Sequence, residues 1–599
     1  MNAAQKAPAG ATGTPVRRPR RHAGRRAAAG LAGLLAAAAG LAVGEPVAGL
    51  VRPESRPVKL IGEAAIDRTP AAVKDWAVRT FGEQDKLVLQ LGILLVLAGC
   101  AAGVGLSAAR HRRAAVAAAA AFGLAGVAAA LAAPGGGPAD VLPSVAAGAA
   151  AAGALSVLAG RLVPPPPEPV CAASDPDRPR PAPPRPAPPP ADGAGPDSGA
   201  EHRDAGRAAP SPAAVFDPGP GPAAGPPPAD GEDRPAFDRR GFLAAASAVA
   251  AASAGSGLLG AALLDSSEAA AGRARDGILL PRPASPAAPV PDGAELGIDG
   301  LSPFLTPNRD FYRIDTALTV PRIDATAWEL RIAGLGIGRL LTLTYRDLLD
   351  RELVERDITL TCVSNQVGGP YIGNARWIGI PLAELLREAG VRPPAEGGPA
   401  DQLVARSVDG MTIGTPVEAV MDGRDALLAV GMNGEPLPFR HGFPVRMVVP
   451  GLYGYVSACK WLAELELTTF DAYDAYWVQR GWADRAPVKT QSRIDTPRPL
   501  TDVPRGTVTV AGVAWAQRRG IRRVEVRVDD GPWQTARLAA KDTVDTWRQW
   551  VWEWTGAEPG EHRLQVRATD AAGRTQTAER SQVAPDGATG HHTVPVTVV

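Results

Sequence analysis

Four alanine-rich apolar runs, at about 27–51, 87–109, 114–133 and 141–163, set the first limit on what this chain can fold into. As helices, each is long enough to cross a hydrocarbon core of about 30 Å, at about 1.5 Å per residue. None carries the polar face that a helix on the surface of a soluble domain needs; the first is blemished by Glu45 and Pro46, and the other three are cleaner. The stretch 1–26 is basic, with Arg17, Arg18, Arg20, Arg21, Arg25 and Arg26 and no acid. Flanking charge therefore puts this end and the Arg110-His111-Arg112-Arg113 turn in the cytoplasm, and the 134–143 turn, which has no Lys or Arg, outside. The expectation is a basic cytoplasmic N-terminus at 1–26 and an all-α, four-helix transmembrane region at 27–163.

Residues 164–237 are dominated by Pro, Ala and Gly, cannot bury a core, and read as a disordered linker. Asp238-Arg239-Arg240-Gly241-Phe242-Leu243 follows, then an uncharged run to Leu264. Two arginines ahead of such a helix resemble a twin-arginine export signal placed internally; the plainer reading is a fifth span. Either one carries the rest of the chain out of the cytoplasm. A signal or anchor helix is expected at 238–264 and a further linker at 265–290.

At 599 residues the chain needs more than one core. A net charge of +1, with basic residues scattered, argues against a nucleic-acid partner. Four cysteines do not make a disulfide framework: Cys100 lies in an apolar run and Cys171 in the linker, leaving Cys362 and Cys459 in the remaining half.

From 291 to 500 strands and helices interleave without a regular βαβ repeat, which reads as an α+β domain. Strands are expected at Trp328–Ile332, Leu403–Ser407, Leu427–Met432 and Val445–Val449, and short helices at Leu341–Leu349 and Leu382–Ala389. From 505 to 599, Thr507–Val510, Val524–Val528, Trp550–Trp554 and Leu564–Ala568 alternate with period two between turn signals such as Asp529-Asp530-Gly531-Pro532. That pattern reads as an all-β sandwich of immunoglobulin type, whose plainest role is an interaction module.

One stretch of the α+β region bears chemistry. A β-branched run, Asp357-Ile358-Thr359-Leu360-Thr361, ends on Cys362, and the loop Val363-Ser364-Asn365-Gln366-Val367-Gly368-Gly369 follows. Such a strand end can present one thiolate at the mouth of a pocket, although a lone cysteine there is more often inert packing. Three more stretches bear on it: His441-Gly442-Phe443-Pro444-Val445-Arg446, then Val449-Pro450-Gly451 running on to Ser457-Ala458-Cys459-Lys460-Trp461, and Tyr476-Trp477-Val478-Gln479-Arg480-Gly481-Trp482. A histidine and an arginine around a tight turn can point at one anion; arginine adds a planar fork of donors and Lys460 a point charge, which is the chemistry of phosphate binding.

Together these stretches resemble the sulfite oxidase family of molybdopterin enzymes over about 295–500, and the β-region after 505 resembles that family's C-terminal dimerisation domain. The resemblance implies a molybdenum–molybdopterin cofactor with Cys362 as the thiolate ligand of molybdenum. It implies Asn308, Phe311, Tyr312 and Arg313 at the pterin, and Asp409, His441, Arg446, Ser457, Ala458 and Lys460 at the pterin and its phosphate. Trp377 and Trp482 fall where the family builds its substrate pocket and count, with Cys362, as catalytic candidates; Cys459 reads as small packing beside the phosphate loop. The chain also departs from the family. Val363-Ser364-Asn365-Gln366 replaces an arginine-bearing run, and Arg313-Ile314-Asp315-Thr316 replaces an arginine-asparagine-histidine run. Each charge-assisted hydrogen bond lost is worth about 1.5–3 kcal/mol, so a neutral S-oxide or N-oxide, or a less charged anion, fits better than sulfite.

The expectation is a multi-pass plasma-membrane oxidoreductase with an extracytoplasmic catalytic domain that transfers an oxygen atom on a small molecule. It exchanges electrons with an external carrier, a cytochrome or a quinone-linked protein, and can pair as a homodimer through the C-terminal domain. The alternatives are a sulfite oxidase proper and a non-enzymatic cell-surface binding protein. A transporter is disfavoured by spans almost without intramembrane charge.

Overall fold

The structure, a computed structural model, describes residues 20–69, 73, 85–133, 137–162 and 238–599. The basic stretch at 1–19 and the linker expected at 164–237 lie outside the described residues.

The N-terminal region is helical: α1 (Arg20–Val51), α2 (Pro57–Arg68), α3 (Asp85–Ala108), α4 (Arg112–Ala132), α5 (Leu142–Leu162) and α6 (Arg239–Asp276). Five stretches of it are long and apolar enough to cross a membrane, and α2 is a further short helix. α1 packs against α3, α5 and α6. Small residues let the backbones touch: a side chain on Gly123 of α4 would stand 2.6 Å from the Cα of Gly148 on α5. The core here is built from alanines such as Ala29, Ala32 and Ala36 with Leu155, Leu158 and Phe242.

α6 continues to Asp276 instead of ending at Leu264, because Glu268-Ala269-Ala270-Ala271 are strong helix formers and Arg273 and Arg275 favour its negative C-terminal end. Arg275 ties that end to the next domain, donating to the carbonyls of Leu437 at 2.8 Å and Pro436 at 2.7 Å.

Two sheets follow, the first antiparallel throughout and the second mixed. One contains β3 (Val354–Thr361), β4 (Ile372–Pro381), β7 (Leu427–Met432) and β8 (Glu435–Pro436) in that order, with β9 (Arg446–Val448) also on β7. The second runs β2 (Leu341–Thr344), β1 (Glu329–Gly334), β10 (Leu462–Thr468), β5 (Gln402–Ser407) and β6 (Thr412–Pro416), with β1 and β10 parallel. The helix expected over Leu341–Leu349 is a strand followed by the short helix Tyr345–Leu349. Leu341 and Leu343 point inward while Thr342 is exposed, and Thr344 caps the helix by accepting from the Asp347 amide, with the Asp347 carboxylate returning the contact.

The C-terminal region has two further sheets around one core. Their orders are β11 (Gln491–Thr496), β13 (Gly506–Trp515), β17 (Arg548–Ala557) and β16 (Arg537–Leu538), and β12 (Thr501–Val503), β19 (His592–Val598), β18 (Gly560–Asp570), β14 (Ile521–Val528) and β15 (Gln534–Thr535). This unit starts at Gln491, before the expected 505, because β11 pairs with β13 from Gln491↔Trp515 onward. The polar run Gln491-Ser492-Arg493 is buried without alternation, so no period-two signal marks it. Nor does the unit stand apart. Val513, Trp515 and Trp547 belong to the core of the preceding domain, and the Thr359 amide of β3 donates to Asp545 O at 2.9 Å.

Candidate active site

β3 carries the cysteine. Its last five residues are buried on both faces, and it pairs with β4 as far as Thr361↔Ile372. Cys362 extends that ladder by one bond, its amide donating to Tyr371 O at 2.9 Å. Asn365 then closes the loop, its side-chain oxygen accepting from the Tyr371 amide at 2.8 Å. The thiol is free and buried, at the edge of an open cleft. Burial pushes its pKa up, opposed by hydrogen bonds from Ser364 and by the charge of Lys460.

His441 and Arg446 reach the cleft from the turn ahead of β9, and Lys460 from the residues just before β10. Gly442, at φ +109°, makes that approach close: a Cβ there would stand 3.0 Å from Cβ of Lys460 and 3.1 Å from Cβ of Arg446. His441 is almost fully buried, and desolvation drops its pKa to about 3. A neutral ring must use Nε2–H to donate to Asn308 O, at 2.7 Å, so this nitrogen has a partner within the protein. Arg446 is buried with its pKa lowered to about 10, which keeps it cationic at neutral pH. Its Nη1 donates to His441 O at 3.2 Å, and its Nε has no partner among the described residues. Lys460 lies 2.7 Å from a carboxylate oxygen of Asp315 and 4.6 Å from the Trp461 ring centre.

Of the residues singled out in the sequence, Phe311, Tyr312, Cys362, Asp409, His441, Arg446, Ala458 and Lys460 line this one cleft. Phe311 stacks on Tyr312 with centroids 5.2 Å apart, and Gly373 on β4 leaves room for it, since a Cβ there would meet the Phe311 ring at 2.7 Å. Cys459 is buried at the cleft wall, with burial raising its pKa.

Five others sit elsewhere. Trp377 is not a pocket wall: it is fully buried, its indole N–H donates to Ile358 O at 3.1 Å, and its ring backs Arg446. Trp482 lies one layer behind the cleft, packed on Tyr455 and Trp477 at 5.8 and 6.2 Å. Ser457 Oγ is used up on Leu452 O and Tyr453 O. Asn308 spends its side chain on Met432 O, Glu435 and Asn433. Arg313 is drawn off by Asp315, at 3.5 Å. In the Tyr476–Trp482 stretch it is Trp477 that faces the cleft, because it opens the tight turn Val478–Arg480 that swings Trp482 away. Asp315 lines the cleft too, and no local pattern marks it: its partner Lys460 is 145 residues away.

Three features fit an anionic, metal-carrying organic group. The first is a buried cation with an unspent donor, the second a thiol on the same wall, and the third an open cleft that brings them together. Among the described residues no three His, Cys, Asp or Glu side chains cluster as a metal site. A metal at Cys362 therefore has to bring other ligands with it, as a pterin dithiolene does.

Comparison with known proteins agrees with this geometry. Residues 317–477 match the oxidoreductase molybdopterin binding domain. Sulfite oxidase of Gallus gallus is 33% identical over 290 residues, which is 42% of this chain and 62% of that protein. An NADH nitrate reductase of Oryza sativa subsp. japonica is 26% identical over 333 residues, 46% of this chain and 36% of that one. The solved sulfane dehydrogenase SoxCD from Paracoccus pantotrophus aligns at 26% identity and a TM-score of 0.43, covering 49% of this chain and 81% of that one. The chain thus spans about six-tenths of the length of that sulfite oxidase and about a third of the nitrate reductase. The matched domain implies a molybdenum–molybdopterin cofactor, which a purely adhesive surface protein has no use for. The chain carries an oxidoreductase molybdopterin binding domain and is similar there to the sulfite oxidases.

Proposed function

We propose that the chain is a membrane-tethered oxidoreductase whose molybdopterin domain, at 291–500, works outside the cytoplasm in two-electron oxygen-atom transfer on a small S- or N-oxide. The observation that carries this reading is the convergence on one cleft of the Cys362 thiol, the unspent Arg446 Nε and Lys460. When bound, molybdenum held by the pterin sulfurs supplies the two-electron redox step.

The chain's own residues do the rest. Cys362 would hold the metal through its thiolate, and the ladder bond to Tyr371 O together with the Asn365 closure fixes where that sulfur sits. Arg446 and Lys460 bind the cofactor phosphate. The neutral His441 ring and the Phe311–Tyr312 stack flank the pterin and keep water out. Asp315 orients Lys460.

The substrate class follows from charge. Among the described residues lining the cleft, the cations are Arg446 and Lys460, and both are committed to the cofactor. Arg493 reaches the far side of the cysteine loop, donating to Gly369 O at 2.8 Å, but its charge is paired with Asp495 at 2.6 Å. A doubly negative oxyanion would find no unspent positive partner, whereas a neutral S-oxide or N-oxide needs none. The similarity to sulfite oxidases keeps sulfite as the second reading.

The five apolar stretches support a multi-pass plasma-membrane anchor, with a twin-arginine-like Arg239-Arg240 at the start of α6. The two-sheet C-terminal unit supports an immunoglobulin-like sandwich, a surface through which two copies can pair. Electrons pass to or from an external cytochrome or quinone-linked protein.

The test is metal analysis of purified protein followed by a redox-dye screen against sulfite, methionine sulfoxide and other S- and N-oxides. The expected result is about one molybdenum per chain and faster turnover with a neutral oxide than with sulfite. A stably folded protein without metal overturns the enzyme reading, and sulfite as the best substrate overturns the substrate class.

A further inference from the structure

A second cavity lies far from the molybdopterin cleft in sequence and chemistry. It is a partly open cleft lined by α1 to α5. The helix composition explains why it is there. Glycines bring backbones into contact, as at Gly123 and Gly148, while the alanines between them are too short to fill what remains.

Its walls are apolar, from Ala36, Leu97, Phe122 and Leu155 among others, and no charged side chain among the described residues lines it. One wall residue breaks the pattern. Ser144 on α5 is 1% exposed, and its Oγ has no hydrogen-bond partner among the described residues. Gly126 on α4 leaves room for that hydroxyl, since a Cβ there would stand 2.7 Å from it.

A buried hydroxyl without a partner is costly, so its natural counterpart is a ligand atom. Water is a poor candidate, because a buried water needs about three polar partners and Ser144 is the one polar side chain among the described wall residues. An anionic lipid head is a poor candidate too, because no cation among the described residues lines the walls. Apolar lining and a single side-chain hydroxyl together select one chemistry.

We propose that this cavity binds a neutral lipophilic molecule whose one hydrogen-bonding oxygen pairs with Ser144. A membrane quinone and an uncharged lipid such as a diacylglycerol share that chemistry. The proposal does not depend on the molybdopterin site or on its substrate.

The experiment uses the full-length protein purified in detergent. Bound small molecules are extracted and identified by mass spectrometry. The stripped protein is then titrated by equilibrium dialysis with decylubiquinone in one arm and dioctanoylglycerol in the other. One arm should bind saturably, and which one identifies the source. Ser144→Ala, nearly isosteric, should weaken that binding roughly fivefold, the worth of one neutral hydrogen bond. Leu97→Trp, which narrows the cavity, should weaken it at least tenfold. Molybdenum content should stay unchanged in both variants, which separates this result from any failure at the cleft. Binding of neither probe, or binding that neither substitution alters, overturns the proposal.

Discussion

The guanidinium carbon of Arg446 stands 5.1 Å from the centre of the Trp377 ring. The indole is itself locked by its bond to Ile358 O, so it forms a rigid floor that keeps the cation facing the cleft. The residue expected as a wall of the substrate pocket thus acts at one remove, through the arginine. Arg446→Gln removes the cation while keeping an amide donor. It should weaken cofactor retention by about ten- to a hundredfold, the worth of one charge-assisted hydrogen bond. Trp377→Phe should retain more cofactor than Arg446→Gln does. The measurement is pterin and molybdenum per chain after gel filtration, with circular dichroism as the check on folding. Full retention in Arg446→Gln would refute the phosphate role.

Gly368, in the cysteine loop, and His592, on β19, meet at closest packing. The glycine has φ +79°, and a Cβ on it would fall 2.1 Å from the imidazole. That ring is neutral, its pKa lowered to about 4 by burial, and its Nδ1 accepts from the Ile494 amide at 3.0 Å. Gly368→Ala should therefore destabilise by about 2–3 kcal/mol, through both the clash and the left-handed backbone. In a Gly368→Ala/His592→Ala double variant the clash goes and the backbone strain stays. The two changes should then be non-additive, with part of the loss recovered. Thermal unfolding of the four proteins decides it, and strict additivity would show that loop and strand are not coupled.

Which parts of this molecule a sequence reveals depends on the range of the interaction. Leu427–Met432 and Leu382–Glu388 lie where their patterns put them, because burial and propensity act within a few residues. The cysteine, histidine, arginine and lysine of the cleft were legible as a family pattern, although no physical rule joins Cys362 to Lys460 across that distance. What stayed hidden was decided by partners. Ser457 and Asn308 look free on paper but are spent on nearby carbonyls and amides. Trp477 and Trp482 are of one type, and a single tight turn chooses which of them faces the cleft. Gln491–Thr496 has no alternation to betray a strand, because its polar side chains are buried against partners such as Gln576 and Ala588 O.

Export should depend on the two arginines that open α6. Asp238 caps that helix, its side chain accepting from the Gly241 amide at 2.8 Å, so Arg239 and Arg240 occupy the first turn. There they gain nothing from the helix dipole, which favours anions at that end, and a role outside folding is the better account of them. A reporter fused after residue 500 should be active only outside the cytoplasm. Replacing both arginines with lysine preserves charge and should nonetheless reduce external reporter activity at least tenfold if twin-arginine recognition operates. Unchanged activity would leave α6 as an ordinary span held by positive charge alone.

Asp542 provides a pH-dependent test of how the C-terminal unit docks on the site domain. It sits beside the cross-strand pair of Asp357 on β3 and Arg376 on β4, in which Arg376 Nε and Nη2 donate to the two carboxylate oxygens at 2.8 and 2.7 Å. Asp357 takes up that guanidinium, and one oxygen of Asp542 has no partner among the described residues. Burial first, and the Asp357 charge second, push its pKa from 3.8 up to about 6, with Arg376 opposing. In the unfolded chain Asp542 ionises near 3.8, so as pH rises from there to about 6 the unfolded state loses its proton first and the folded state loses stability. Above about pH 6 the penalty is complete, and below about pH 4 it is absent. With allowance for solvent screening it amounts to about 1 kcal/mol. Asp542→Asn should therefore raise the melting temperature at about pH 7.5, with the gain shrinking toward pH 5. A gain that does not vary with pH would point to a hydrogen bond made by the new amide rather than to relief of a buried charge.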